Sequence, residues 1–241
     1  MSDIKFVDID DEYLNHLREN GDERVPKKDY GENKVKPFFP LFVKGDITYC
    51  STVTSPKPNH YKFNESLDFT KLQDSQGRLI GVVHTNYMFP VLSKYITELD
   101  EQELYKKFGG KDNDANGYAS RSVSRLNAYS KLIKECEVRE KAMLNYSKAE
   151  AGVLPKNRIG RTLDFLKLED VLIDYEVTKA FPDKEYEITK IQHLNYIKVD
   201  EQSYCLTYNG LNDIEELPSV HNQIQKTFEI DGNKAKIEYE K

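Results

Sequence analysis

The sequence predicts an α+β fold: a strongly bent antiparallel β-sheet in the first half with helices packed against it, then a β-rich extension. Three observations carry this. Short runs rich in β-branched and aromatic residues, punctuated by Gly, Pro and Asp, crowd the first hundred positions. Two longer segments between 120 and 177 carry apolar residues at steps of three and four. After residue 177 the texture returns to strand-like runs.

In chain order, IKFVDI alternates like a strand, and Asp10 or Asp11 caps a helix over EYLNHLREN that Gly21 stops. PFFPLFVKGDITYCSTVT reads as two strands joined by a Lys-Gly-Asp turn, with Pro37 and Pro40 placing the first at a sheet edge or delaying its start to Leu41. SQGRLIGVVHTNYMFPVL supplies one further buried strand, and KYITEL another. GGKDNDANG, residues 109–117, is a loop by composition. One long helix then spans Ser120 to Lys148, with Val123, Leu126, Tyr129, Ile133 and Cys136 as its apolar stripe. Gly152 and Pro155 break it, and a second helix over LDFLKLEDVLIDYEV buries Phe165, Leu168, Val171, Leu172 and Tyr175. YEITKIQHLNYIKV, SYCLTYN and KTFEIDGNKAKIEY are strands, the last a hairpin turning at Asp231-Gly232-Asn233. The expected boundaries are 1–176 for the main domain and 177–241 for the extension.

Composition narrows the chemistry. The 38% hydrophobic and 32% charged residues suit a soluble globular chain, and no apolar run approaches the roughly 20 residues of a membrane span. MSDIKFVDIDDEYL lacks the basic-then-apolar order of a signal peptide, so the cytoplasm is the expected compartment. Cys50, Cys136 and Cys205 are scattered, and the five histidines show no ligand spacing; no metal or other cofactor is expected. The net charge of −6 hides a polarity, since Leu104 to Leu163 holds 13 Lys/Arg against 6 Asp/Glu, while the stretch from Val177 onward holds 8 against 12. Such a chain can turn one basic face to phosphates, or simply solvate a helix surface.

The chemistry-bearing stretch is Thr54-Ser55-Pro56-Lys57, with His60 three positions further on. Proline cannot donate to a ladder, so pairing stops here and the side chains face a cleft. If the two strands of residues 37–54 form a hairpin, Tyr30, Lys34 and Lys36 before it meet Lys57 and His60 after it. Lysines, hydroxyls, an imidazole and a phenol without carboxylates suit a phosphodiester, which carboxylates repel. In RNA the nucleophile can be the substrate's own 2′-hydroxyl. The protein then needs to align that oxygen, neutralise charge on the phosphoryl oxygens and assist proton transfer. Lys57 fits the second task, Ser55 and Thr54 hold phosphate, and Tyr30 stacks or hydrogen-bonds. His60 is either a proton shuttle or a hydrogen-bonded turn histidine.

The stretch from Lys36 to Val91, with KPFFPLFV, TSPK followed by His60, and KLQDSQGRLIGVVHTNYMFPV, resembles the toxins of type III toxin–antitoxin systems, the ToxN/AbiQ family. The resemblance continues through YASRSVSRLNAYSKLI and RTLDFLKLEDVLIDY, and spans about three quarters of the chain. It implies a strongly bent sheet or small barrel similar to MazF and Kid. It also implies a metal-independent endoribonuclease that leaves a 2′,3′-cyclic phosphate. The implied partner is a small repeated pseudoknot RNA antitoxin that wraps toxins into closed assemblies, in abortive infection against phage. Thr54, Ser55 and Lys57 then occupy the family's active-site motif, Tyr30 and Lys36 (or Lys34) precede the first core strand, and His60 follows the motif. Arg121, Arg125, Lys131 and Lys134 would bind RNA backbone, with Tyr118 as a stacking residue. The alternative is a non-catalytic RNA-binding or protein-interaction module on the same core.

Overall fold

The structure, a computed structural model, describes residues 4–28, 35–110, 117–191, 194–207 and 209–213. These form two compact units, one ending at Tyr175 and the other beginning at Glu176. The architecture is α+β, with antiparallel strand pairing throughout the described sheets.

The first unit opens with β1 (Val7–Ile9) and α1 (Asp11–His16), which runs on as a π-helical turn over Leu17–Gly21. Asp10 caps α1, its carboxylate accepting the Tyr13 backbone N–H at 2.9 Å. Next come β2 (Phe38–Lys44), β3 (Ile47–Thr54), α2 (Pro58–Lys62), β4 (Thr70–Gln73), β5 (Leu79–Val83), β6 (Phe89–Leu92) and β7 (Ile96–Glu98). The helices α3 (Glu101–Lys107), α4 (Tyr118–Glu135), α5 (Val138–Glu150), α6 (Lys156–Ile159) and α7 (Phe165–Ala180) follow.

The sheet order is β4-β5-β3-β2-β1-β7, with β6 also on β3. β3 organises it. One edge pairs with β2; the other pairs with β6 over Ile47 to Cys50 and with β5 at Val53 and Thr54. Two partners follow in succession along one edge of β3, and every β3 residue from Ile47 to Val53 is buried. The path ends at β4 and β7, so among the described residues the sheet is open and no closed barrel forms. That corrects the small-barrel expectation.

Several other expectations are corrected. Pro40 does not mark an edge, because β2 lies between β1 and β3. It sits instead where the register slips between Pro40 and Phe42, a bulge where a missing N–H is tolerated. The segment read as one strand over residues 75–92 is β5 and β6 separated by a 3-10 turn at Thr85–Tyr87. The single long helix is two. Its stripe ends at Cys136, and Glu137 takes a left-handed backbone, φ 52°, before α5 starts. The predicted hairpin at Asp231 lies outside the described residues.

Helix packing explains why Gly81 is glycine. A Cβ there would lie 2.8 Å from both the Tyr129 ring and Val53 Cγ1, while the Tyr129 hydroxyl donates to the Ile80 carbonyl at 2.7 Å. Gly81→Ala is expected to destabilise the fold by about 1–3 kcal/mol through overpacking, read as a lower urea midpoint at unchanged slope.

A polar cluster lies deeper. The Glu169 carboxylate on α7, 4% exposed, accepts the hydroxyls of Tyr49 at 2.7 Å and Tyr146 at 2.8 Å. Lys44 reaches Glu169 at 3.4 Å and Glu150 at 2.9 Å. Burial first and the Glu169 charge second raise the pKa of both phenols above the ordinary range, keeping them protonated donors.

The second unit holds β8 (Tyr186–Ile191), β9 (Leu194–Val199), β10 (Gln202–Thr207) and β11 (Gly210–Asp213), a meander in the order β11-β10-β9-β8. Tyr196, Ile197, Val199, Cys205 and Leu206 are its buried apolar residues. No described helix is long and apolar enough to cross a membrane.

Candidate active site

β3 ends at Thr54, which pairs with Val82 of β5. Beyond it Pro56 supplies no donor, and Lys57 is extended at φ −117°, ψ 158°. Ser55 and Lys57, either side of Pro56, are both exposed. Pro58 then opens α2 at its first position, where a missing N–H costs nothing.

His60 holds this turn. Its Nδ1 accepts the Lys57 backbone N–H at 3.1 Å, and its own backbone N–H donates to the Lys57 carbonyl at 2.9 Å. The ring is 7% exposed, and burial followed by the Lys57 charge lowers its proton affinity below the ordinary range. With Nδ1 already accepting, the neutral ring carries its proton on Nε2. Of the two readings the sequence left open, this geometry favours the hydrogen-bonded turn histidine.

Lys36 approaches from β2. It lies two residues before β2, and its backbone N–H donates to the Lys28 carbonyl at 2.8 Å. Its ammonium is half-buried, and burial together with repulsion from Lys57 lowers its proton affinity. Lys57 forms no ion pair with a described residue. The structure therefore brings Thr54, Ser55, Lys57, His60 and Lys36 together at the exit of β3; Tyr30 and Lys34 lie outside the described residues. Two ammoniums beside two hydroxyls suit a doubly liganded phosphate oxygen pair.

The basic helix divides. Arg121, Arg125, Lys131 and Lys134 are all exposed on α4, but at 100° per residue Arg121 and Arg125 share a face that Lys131 and Lys134 do not. Arg125 neighbours Tyr129, the residue packed on β5. Lys131 instead lines a cavity of about 800 Å³ with Glu98, Glu101 and Glu103, an acidic setting for phosphate. Tyr118, half-exposed at the start of α4, meets Phe108 edge-on at 6.1 Å. Among the described residues no group of His, Cys, Asp or Glu gathers as a metal-ligand set.

Residues that sequence reading missed adjoin the motif. His84, at the end of β5, lies 5.5 Å from the His60 ring and 5.2 Å from Phe69. Burial chiefly, then the neighbouring His60, pushes its pKa down to about 4. A folded-state value below the ordinary 6.5 means that folding favours the uncharged ring. Its stabilising contribution is complete above pH 6.5 and is lost as pH falls toward 4, about 3 kcal/mol in all. Urea unfolding at pH 7 and 4.5 is expected to show a steeper acid loss in the wild-type chain than in His84→Gln; equal losses would refute this assignment.

Comparison with known proteins bears on the chain as a whole. Residues 5–173 match the family model of toxin ToxN of type III toxin–antitoxin systems. Among solved structures, the chain is similar to a toxin from a study of bacterial type III systems in which a non-coding RNA pseudoknot selectively inhibits the toxin. That similarity is 26% identity with a TM-score of 0.57, covering 73% of this chain and 99% of that one. The fold is also that of AbiQ, a lactococcal anti-phage endoribonuclease of a type III system, at 19% identity and TM-score 0.56 over 72% of this chain and 98% of that one. A component of a bacterial antiviral system regulated by a processed non-coding RNA has it too, at 22% identity and TM-score 0.54 over 69% and 95% of the two chains. No curated protein matches. A match over residues 5–173 includes the seven-stranded sheet, the β3 exit and the helices α1 to α6: the chain belongs to the ToxN family of type III toxin–antitoxin toxins.

Proposed function

We propose that this toxin is a metal-independent endoribonuclease that cuts single-stranded RNA by attack of the 2′-hydroxyl on the adjacent phosphorus. The observation that carries the reading is the Lys57 ammonium, held by its clamped backbone at the exit of β3 beside Ser55 and facing a second cation, Lys36. Lys57 and Lys36 neutralise charge growing on the phosphoryl oxygens, and Ser55 and Thr54 orient the phosphate. The 2′-oxygen bonds to phosphorus, the 5′-oxygen leaves with a proton, and the upstream fragment keeps a 2′,3′-cyclic phosphate. His60 is a positioning residue for Lys57. Tyr30 and Lys34 complete the substrate side, and Arg121 and Arg125, with Tyr118, guide the strand; Lys131 and Lys134 add basic charge elsewhere on α4.

The same reading supplies the partners. A repeated pseudoknot RNA neutralises the toxin in a closed toxin–RNA hetero-oligomer, and release of the toxin in the cytoplasm aborts phage infection. The inhibited toxin and the lactococcal anti-phage nuclease among the solved structures support this. The core is kin to the bent sheets of MazF and Kid, and residues 177–241 are a β-rich extension of the nuclease domain of residues 1–176.

Induction in bacteria tests the reading. Growth arrest with messenger RNA cleavage is expected from the wild-type chain, and purified protein is expected to cut RNA in EDTA. Arrest with intact messenger RNA would instead indicate a protein target, and harmless expression an inert binding module.

A further inference from the structure

Beyond the phosphate-binding motif lies a cavity of about 550 Å³, within the usual range of roughly 300–1,000 Å³ for ligand pockets. It draws on three separated stretches of chain: the loop after α2, the turn between β5 and β6, and α6 with the residues after it. We propose that it seats the base of a nucleotide flanking the scissile phosphate, an inference that rests on the nuclease reading above.

Three features point to a base. One wall is a chain of rings, Phe63 to Phe69 at 5.9 Å, Phe69 to His84 at 5.2 Å and His84 to Tyr87 at 6.0 Å, and Phe63 is 49% exposed. Rings of this kind accept any base by stacking. A neutral His84 can stack without a charge to desolvate.

The second feature is Asn86, which lines the cavity at 4% exposure. Its Nδ2 donates to the Arg161 carbonyl at 2.7 Å, which fixes the amide orientation. Its Oδ1 is then a buried acceptor with no hydrogen-bond partner. Buried polar atoms are nearly always paired, so this orphan acceptor, on a residue that lines the cavity, is suited to a ligand donor once the amide turns toward it. Each natural base offers an N–H on its Watson–Crick edge.

The third is charge. Arg161 and Arg158 share the buried Asp68 at 2.8 and 3.7 Å, so two guanidiniums face one carboxylate. The Arg161 side chain is 52% exposed and keeps donors for a phosphate. The His84 ring lies 5.5 Å from His60, whose Nδ1 accepts the Lys57 backbone N–H, which places the cavity beside the motif.

The test uses the full chain carrying Lys57→Ala, so that RNA binds without being cut. Single-stranded RNA oligonucleotides with one abasic residue stepped along the sequence are titrated against it. One position is expected to lose about tenfold or more in affinity when its base is removed, a stacking-sized effect. That sensitivity is expected to vanish when Phe63→Ala is added. Uniform affinity at every position, or a sensitive position unaltered by Phe63→Ala, would overturn the base pocket. Failure of the nuclease reading shows separately, as wild-type protein that binds RNA and leaves it whole.

Discussion

Replacing Lys57 by alanine is expected to lower RNA cleavage by about 10²–10³-fold, the effect of losing one preorganised donor to a developing oxyanion. The side chain is exposed and its backbone hydrogen bonds to His60 do not need the ammonium, so the fold is expected to persist. Matched circular dichroism and an unchanged urea midpoint would verify that. Ser55→Ala is expected to follow the same pattern, because Ser55 is exposed and lies two residues before Lys57. Full cleavage by both variants would remove the motif from the mechanism.

The largest stability effect is expected at Glu169. Glu169→Ala strips the acceptor from the buried Tyr49 phenol and the nearer acceptor from Tyr146, while Tyr146 and Lys44 keep Glu150 at 3.3 and 2.9 Å. Leaving a buried donor without its carboxylate in this way costs about 3–5 kcal/mol. For a chain of this size that is on the order of 10 °C in Tm. Glu169→Gln retains one carbonyl acceptor and is expected to lose less. Calorimetry of the two variants checks the order; an alanine variant as stable as wild type would mean that the cluster is not stabilising.

The sequence discloses what is local. The Thr-Ser-Pro-Lys motif stands out because proline ends pairing wherever it falls, and the Leu126, Tyr129, Ile133 stripe because one helix face repeats at a fixed step; all three are buried. The α4–α5 break escaped because a left-handed Glu137 has no signature residue; glycine or asparagine would have marked it. The division of residues 75–92 into two strands depends on β3 pairing first with β6 and then with β5, a tertiary fact. His60 was visible as a residue near the motif, but its hydrogen bond to the Lys57 backbone, which fixes its tautomer, was not. The cavity of Phe63, Asn86, His84 and Arg161 joins positions up to 98 apart in the chain, and no spacing rule brings them together.

The nuclease mechanism depends on the substrate's own hydroxyl. The most direct measurement maps the cleavage site on an all-ribose oligonucleotide and then repeats the reaction with a single 2′-deoxy nucleotide 5′ to the scissile phosphate. The account predicts that the all-ribose strand is cut to a 2′,3′-cyclic phosphate and that the substituted strand stays intact at that bond. Cutting of the substituted strand at the same bond and a comparable rate would contradict it.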